Sequence, residues 1–576
     1  MPTWESEGVL RGTLEEVGCV SVTETRQGTV TRLTGGQALV ACLKAQGIEV
    51  VFGLPGVQLD WLFDALYLER DAIRVVHTRH EQATSYMADG YARTTGRVGV
   101  CVMVPGPGVL NATAGLATAY ACSSPVLCLT GQIPSKLIGV GRGLLHEIRD
   151  QLGALRSVTK WAARASTPEE IPGVVLEAFR QLHTGHVRPV AIEVPLDTLA
   201  ATADVTLIGR VAGERRTGDA DAIERAAKVL GAAERPSIFV GGGVIRAEAW
   251  EPLGQLAEML QAPVVMSSNG KGALSDRHYL AHTMVAAQDL LPQSDAVLIC
   301  GTRFLQPANS TWGPTWSRRD GQTLVQIDID PEEIGRNCTP AIGIEADARW
   351  GLEELVARVP RHNRKRGSRR DEMLAEKQRA DALLQAVQPQ AAFAAVIREA
   401  LPEDGILVCE STQVGYWAQY GGFPVYLPRT FLTSGYQGTL GYGFATALGA
   451  QVGAPGRKVV SINGDGGFMY TMQELSTVVR HGINVVAIVF NDNAFGNVRR
   501  IQRDSFGGRL IASDLVNPDF LKLAEAFGVD GYRAEGPEGL RPVLSRALGN
   551  DRPALIEVPV GEMPSVWPVI RAGYRA

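Results

Sequence analysis

Two acidic residues, each placed just after an apolar run, carry the strongest chemical signal in the sequence. Residues 459–462 form a short apolar run that ends in Gly464-Asp465-Gly466-Gly467; Met472, Leu475, Val478 and Val479 then recur at helical spacing until Gly482. A second apolar run, 485–490, ends at Asn491-Asp492-Asn493. Strand, glycine turn, helix and strand make a βαβ unit, whose parallel strands finish on one edge of the sheet. Asp465 and Asp492 therefore face one crevice, beside the free N–H groups of a turn and a helix start. Such a set suits a hard divalent cation that carries phosphate oxygens. Mg²⁺ fits better than Ca²⁺, because it is usually held by one or two carboxylates plus substrate phosphates. A lone Gly-Asp-Gly reads equally well as a capped turn; the second acidic strand end decides for the cation.

The elements that must position these residues alternate strand and helix from about Leu33 onward. The spacing predicts a helix opening at Gly35, a strand over 50–52, a turn Gly53-Leu-Pro55-Gly56 and a helix through Leu66. Val75 and Val76 lead into His80-Glu81-Gln82 and a helix over 83–93, which puts Glu81 where a helix dipole favours a carboxylate. A strand over 98–104 then meets Pro105-Gly106-Pro107-Gly108, a loop with no side chains to keep a ligand away, and a helix over 111–121. His146, Glu147 and Asp150 lie in a polar, glycine-punctuated connection, the kind of segment that lines sites. A second α/β block spans 218–360; its Gly241-Gly242-Gly243 turn lacks the spacing of a dinucleotide fingerprint. The basic run 361–370 reads as a solvated linker reaching to 387, and the third block, 388–576, holds the acidic crevice. Residues 1–32 read as a polar tail, and the first block as 33–200.

Length suggests three or four domains, and the strand–helix rhythm reads as an α/β chain of three doubly wound parallel-sheet domains. The chain has 576 residues, too many for one core, with 45% hydrophobic and 20% charged residues. A formal charge of -5 offers no footprint for nucleic acid, and no apolar run suggests a membrane span. Eight scattered cysteines without a C-x-x-C pair, and no signal-peptide pattern, point to reduced thiols in the cytoplasm.

Taken together, the blocks resemble the thiamine-diphosphate enzymes of the acetolactate synthase and pyruvate decarboxylase group. Three segments carry the likeness: Gly464-Asp465-Gly466 to Asn491-Asp492 is similar to that family's metal-diphosphate motif, His80-Glu81-Gln82 to its catalytic glutamate segment, and Gly438-Thr439-Leu440-Gly441 to its aminopyrimidine loop. The resemblance implies pyrimidine-binding, central and diphosphate-binding domains. Mg²⁺ would be held by Asp465, Asp492 and the carbonyl of Ala494, and the diphosphate lined by Gly464, Gly466, Gly467 and Gln413. Glu81 would pair with the pyrimidine ring nitrogen, the Gly438 carbonyl would take the amino group, and Leu440 would bend the cofactor. Pro55, Gly106 and Asn111 join the cofactor-lining set. His80 and His146 would handle protons, and Tyr436, Gln437, Asn497 and Ile501 would shape the substrate end. Since Glu81 and the metal motif lie in different blocks, and this family builds each site from two subunits, the resemblance implies at least a homodimer and commonly a homotetramer.

The likeness also has gaps. The family usually has asparagine at Asp492. The arginine with which acetolactate synthases handle substrate carboxylate corresponds to Pro307, and the tryptophan that selects their second oxo acid to Ile501. The glutamine of their first-domain loop corresponds to His146. His282-Thr-Met284-Val stands where flavin-binding relatives have Gly-Met-His-Gly, which makes FAD doubtful and leaves that pocket empty, remodelled or filled by another nucleotide. The expected activity is a lyase or carboligase that decarboxylates a 2-oxo acid and transfers the acyl anion. The alternatives are a plain decarboxylase, a 2-hydroxyketone or 2-hydroxyacyl lyase, and a cofactor-binding homologue without activity.

Overall fold

The computed structural model describes residues 30–211, 213–304 and 321–570. Pro307 and residues 1–29 of the expected tail lie outside these. Three six-stranded parallel sheets each form the centre of an α/β block. Their central strands are buried on both faces, as the continuous apolar runs require when helices cover both sides.

In the first sheet the strands stand in the order Arg74–His77, Val50–Gly53, Gly99–Met103, Val126–Gln132, Val190–Pro195, Trp161–Arg164. The third repeats this arrangement with Phe431–Thr433, Ile406–Cys409, Val459–Gly464, Val485–Asn491, Ala554–Pro559 and Asp530–Arg533. The central sheet differs: Ala281–His282, Val264–Met266, Pro236–Val240, Ala296–Cys300, Thr323–Asp328, Ile342–Glu345, the 3-2-1-4-5-6 order of a dinucleotide-type fold. In each sheet the chain order reverses between two adjacent strands, and the loops leaving those strands open the crevice where ligands of such sheets bind.

The first and third blocks pack through the helices Glu81–Thr95 and Tyr442–Gly453. Two glycines set the approach: a Cβ on Gly90 would lie 2.1 Å from the Thr446 carbonyl oxygen, and one on Gly449 would lie 1.9 Å from that of Met87. Between them Tyr86 and Tyr442 meet edge to face, with centroids 5.9 Å apart.

Four expectations need correction. Val30–Thr34 pairs antiparallel with Thr202–Thr206, so the first block begins before Leu33 and continues past 200. The stretch 361–387 is not a solvated linker. The Arg366 guanidinium donates to the carbonyls of Leu230, Gly231 and Ala233 at the end of the helix Ala220–Ala232, satisfying acceptors that a helix terminus leaves open. The helix Arg370–Gln385 then buries Met373, Ala380 and Leu384 in the central core. Helices also start earlier than periodicity suggested. One opens at Glu81 itself, and another at Pro107, whose fixed φ suits a first helical position, leaving Asn111 a turn inside. Finally, Asp465–Phe468 is a single helical turn rather than an open glycine turn.

Seven of the eight cysteines lie among the described residues, and none of these is disulfide-bonded. No helix among the described residues is long and apolar enough to cross a membrane.

Candidate active site

The acidic crevice forms because Val459–Gly464 and Val485–Asn491 pair directly and in register, Gly464 opposite Phe490, so Asp465 and Asp492 leave the sheet on the same edge. Their carboxyls interact with each other, and both are raised from the usual carboxylate range chiefly by burial. Asp492 is pushed up to about 6, with the Asp465 charge as the second cause. Two partly desolvated carboxyls that close are acceptors for one hard cation. Asp492 Oδ1 also accepts from the Ala494 amide at 3.2 Å, which folds the loop back and brings the Ala494 backbone beside Asp492. Asn517, not singled out in the sequence, ties the set together: its Nδ2 donates to Asp465 Oδ2 at 2.6 Å, Asn491 Oδ1 at 2.9 Å and Asn493 Oδ1 at 3.2 Å.

Around the acids the glycines divide the work. A Cβ on Gly466 would strike the Phe495 ring at 2.6 Å, and one on Gly467 would come within 2.4 Å of the Glu410 carboxyl, so these two keep the helical turn close to its neighbours. Gly464 faces open space, with Thr412 3.7 Å from its would-be Cβ. Gln413 starts a helix on the adjacent strand end, and its buried Oε1 has no protein partner. An orphaned polar atom, an uncrowded glycine and two acids at one switch point fit a metal-bound diphosphate.

Glu410, also unanticipated, ends the strand Ile406–Cys409. Its Oε1 accepts the Gly441 amide, its Oε2 has no partner, and burial pushes the carboxyl up to about 8. That bond anchors the loop Gly438-Thr439-Leu440-Gly441, in which Gly438 (φ 60°) and Gly441 (φ 81°) are left-handed and nothing crowds Gly438. Thr439 Oγ1 meets Thr118 Oγ1 of the first block at 2.8 Å.

In the first block Glu81 is the first residue of its helix, and its Oε2 accepts from Asn111 Nδ2 at 3.0 Å. Gly108, the second residue of the helix Pro107–Ala121, lets that helix start close to the strand and to Glu81: a Cβ there would lie 2.8 Å from Val104 Cγ2 and 3.5 Å from Glu81 Oε1. Gly106 (φ 61°) is required by contact: a Cβ there would lie 2.3 Å from the His146 carbonyl oxygen. The connection bearing His146 thus lies on the glycine loop, with His146 Nδ1 2.8 Å from Gln58 Oε1. Pro55 is exposed at the other switch-point loop. His80 is the N-cap: its Nδ1 accepts the Gln82 amide at 3.2 Å, which engages that ring nitrogen in structure and leaves only Nε2 for proton transfer.

The four expected substrate residues do not form one group. Asn497 Oδ1 accepts from Arg500 at 3.1 Å and from the Trp567 indole at 3.4 Å, and Ile501 is 39% exposed one turn further along the same helix. Tyr436 instead lies under the Arg303 guanidinium, 5.0 Å from its ring centroid, in a cavity of about 520 Å³ at the central sheet's switch point. Gln437 is exposed beside it. Trp567, at the start of the C-terminal helix Trp567–Ile570, also packs on Tyr416 and Tyr420. The segment 282–285 is buried except for Thr283, which packs on Gly421.

The comparisons agree with this layout. Residues 33–154 match the N-terminal TPP binding domain of thiamine pyrophosphate enzymes, 223–355 their central domain and 410–558 their C-terminal TPP binding domain. A probable acetolactate synthase large subunit of Methanocaldococcus jannaschii is 35% identical, over 93% of this chain and 94% of the relative. A probable 2-ketoarginine decarboxylase of Pseudomonas aeruginosa is 36% identical over 91% and 94%. An acetolactate synthase of Mycobacterium bovis is 34% identical over 94% and 90%. With three domains matched in order and likeness along nearly its whole length, the chain belongs to the thiamine pyrophosphate enzymes, as one of their lyase and carboligase type.

Proposed function

We propose that the protein is a Mg²⁺-dependent enzyme that decarboxylates a 2-oxo acid and passes the acyl-anion equivalent to a second carbonyl compound. The observation that carries this reading is the contact of Asp465 and Asp492 at adjacent parallel strand ends, on the switch-point edge of a domain matched as TPP-binding. Asp465, Asp492 and the Ala494 carbonyl would hold the metal; Gln413, Gly464, Gly466 and Gly467 would line the diphosphate. Thiamine diphosphate, when bound, supplies the carbon nucleophile and the electron sink for C–C cleavage. Glu81, steadied by Asn111, would share a proton with the pyrimidine ring nitrogen, and the Gly438 carbonyl, Leu440, Pro55 and Gly106 would hold the ring. His146 and His80 Nε2 serve proton transfer at the substrate, and Asn497, Ile501, Tyr436 and Gln437 shape its surroundings. His282-Thr-Met284-Val in place of the flavin-binding segment speaks against FAD in the central domain. Glu81 and the metal residues lie in different blocks, which, in a family that builds each site from two subunits, supports a homodimer as the smallest working assembly and a tetramer as the common form.

A plain decarboxylase is the second reading. It is favoured by Ile501 in place of the selecting tryptophan, by Pro307 in place of an arginine, and by the relative named for decarboxylating 2-ketoarginine. Product analysis separates the two: incubation with pyruvate alone, and with pyruvate plus an aldehyde acceptor, yields a hydroxyketone or acetohydroxyacid under the first reading. Free aldehyde with no ligation product would overturn it.

A further inference from the structure

Glu474 lies outside every role assigned above, yet its carboxylate touches the segment that carries Glu81. It is in the third block, at the end of the turn Met472–Glu474, and is 0% exposed. Its Oε1 accepts the amides of Arg79 at 3.2 Å and His80 at 3.1 Å; its Oε2 accepts the Arg79 amide at 3.0 Å and the Thr477 hydroxyl at 2.6 Å. Two residues earlier, the His77 amide donates to His481 Nε2 at 3.2 Å, and the two imidazoles meet edge to face at 4.8 Å. The Arg74 guanidinium donates to the His481 carbonyl oxygen at 3.1 Å. Side chains from one short stretch of the third block, 474–481, thus hold the first block's loop from the end of the strand Arg74–His77 to the cap of the helix Glu81–Thr95.

A loop that merely packed would not need this. A fully buried carboxyl carries a desolvation penalty, and burial pushes Glu474 up to about 7. What offsets that penalty is a set of donors, two of them amides immediately before Glu81. Those amides precede the helix, so the helix cannot satisfy them, and among the described residues Glu474 is their acceptor. The backbone of Arg79 and His80 sets the direction in which the first helical residue projects. We infer that Glu474 is a positioning residue that fixes Glu81 through the Arg79 and His80 amides. It rests on the reading of Glu81 given above. Glu474 is also joined by one continuous stretch of chain to the metal-bearing turn Asp465–Phe468, so the diphosphate-binding turn and the setting of Glu81 are mechanically linked inside one chain.

The test compares Glu474→Gln with wild type and with Glu81→Gln. Glutamine keeps the size but turns one acceptor oxygen into an NH₂ group facing amide donors. In the cofactor-free protein, hydrogen–deuterium exchange of the peptide spanning 77–86 should quicken in Glu474→Gln, with the helix Tyr442–Gly453 unchanged. Calorimetric binding of thiamine diphosphate with Mg²⁺ should stay within about threefold, while exchange of the cofactor's C2 proton, read by quenched-flow NMR, should slow by about ten- to a hundredfold, the scale expected of small misplacement. Unchanged peptide exchange and C2 exchange in the folded variant would overturn the inference. So would a parallel fall of binding, exchange and melting temperature, which is a structural role only. If Glu474→Gln does not fold, Thr477→Val, which removes one donor to the carboxylate, is judged by the same criteria. If Glu81→Gln itself leaves C2 exchange intact, the proposed function fails instead; if Glu81→Gln abolishes it while Glu474→Gln does not slow it, only the positioning role fails.

Discussion

Replacing Glu410 by glutamine isolates the cost of one buried acid. In the unfolded chain this carboxyl ionises near 4.5; in the folded protein burial pushes it up to about 8, opposed by the Gly441 and Tyr442 amides. Its folded value is raised, so its stabilising contribution is fully present below pH 4.5 and is lost as pH rises through about 8. Within that window the folded state holds a proton that the unfolded state has released, which costs about 1.4 kcal/mol per pH unit. On the order of 4 kcal/mol should therefore separate pH 5 from pH 8 for this group alone. Glutamine is neutral throughout and keeps an oxygen to accept the Gly441 amide. Urea unfolding of wild type and Glu410→Gln, followed by circular dichroism at each pH, gives the difference directly, because every other titrating group cancels to first order. The variant should gain on wild type steadily from pH 5 to pH 8. A difference that stays within about 1 kcal/mol over that range would show that the group is not a protonated acid in the native state.

Two further outcomes follow from the geometry. Chelator, or Asp465→Asn, should weaken calorimetric binding of thiamine diphosphate by on the order of 100-fold; binding unchanged by chelator would remove the metal from the site. Gly449→Ala places a methyl group where the Met87 carbonyl oxygen lies and should cost about 3 kcal/mol or more. Gly456→Ala, with nothing within 4 Å of the added carbon, should be near neutral, and equal melting temperatures for the two would contradict the described helix contact.

The sequence made the acidic crevice legible because βαβ logic is local: two apolar runs, one crossover and two acids determine which edge they share, and the register of Gly464 with Phe490 realises it. Glu81 was visible only through its resemblance to a family segment, since a lone acid at a helix start is ordinary capping chemistry. Asn517, Glu410 and Glu474 were not visible, because each acts across a distance in sequence that no periodicity records. Asn517 reaches back to Asp465 from just before the helix Phe520–Phe527, 52 residues further along the chain. The basic run was misjudged for a related reason. Counting charge finds a solvated face, whereas Arg366 spends its guanidinium on three helix-terminal carbonyls that only the fold brings to it. Tyr436 and Asn497 were grouped by likeness and are parted by the structure, one facing Arg303 and the other Trp567.

The glycine contact between the first and third blocks is reciprocal, and that has a consequence for where the chemistry sits. Met87 and Gly90 on one helix meet Gly449 and Thr446 on the other, each glycine three residues after the carbonyl that receives its counterpart, which is the signature of a local dyad between two domains of the same strand order. Carried back along the chain, that register sets Glu81, the first residue of its helix, against Leu440, two residues before the helix Tyr442–Gly453 begins. A domain that packs against its own duplicate offers every position twice. The likeness stops at the backbone: the same register sets Asp89 against Leu448 and Arg93 against Val452, so one scaffold used twice carries different chemistry on its two halves.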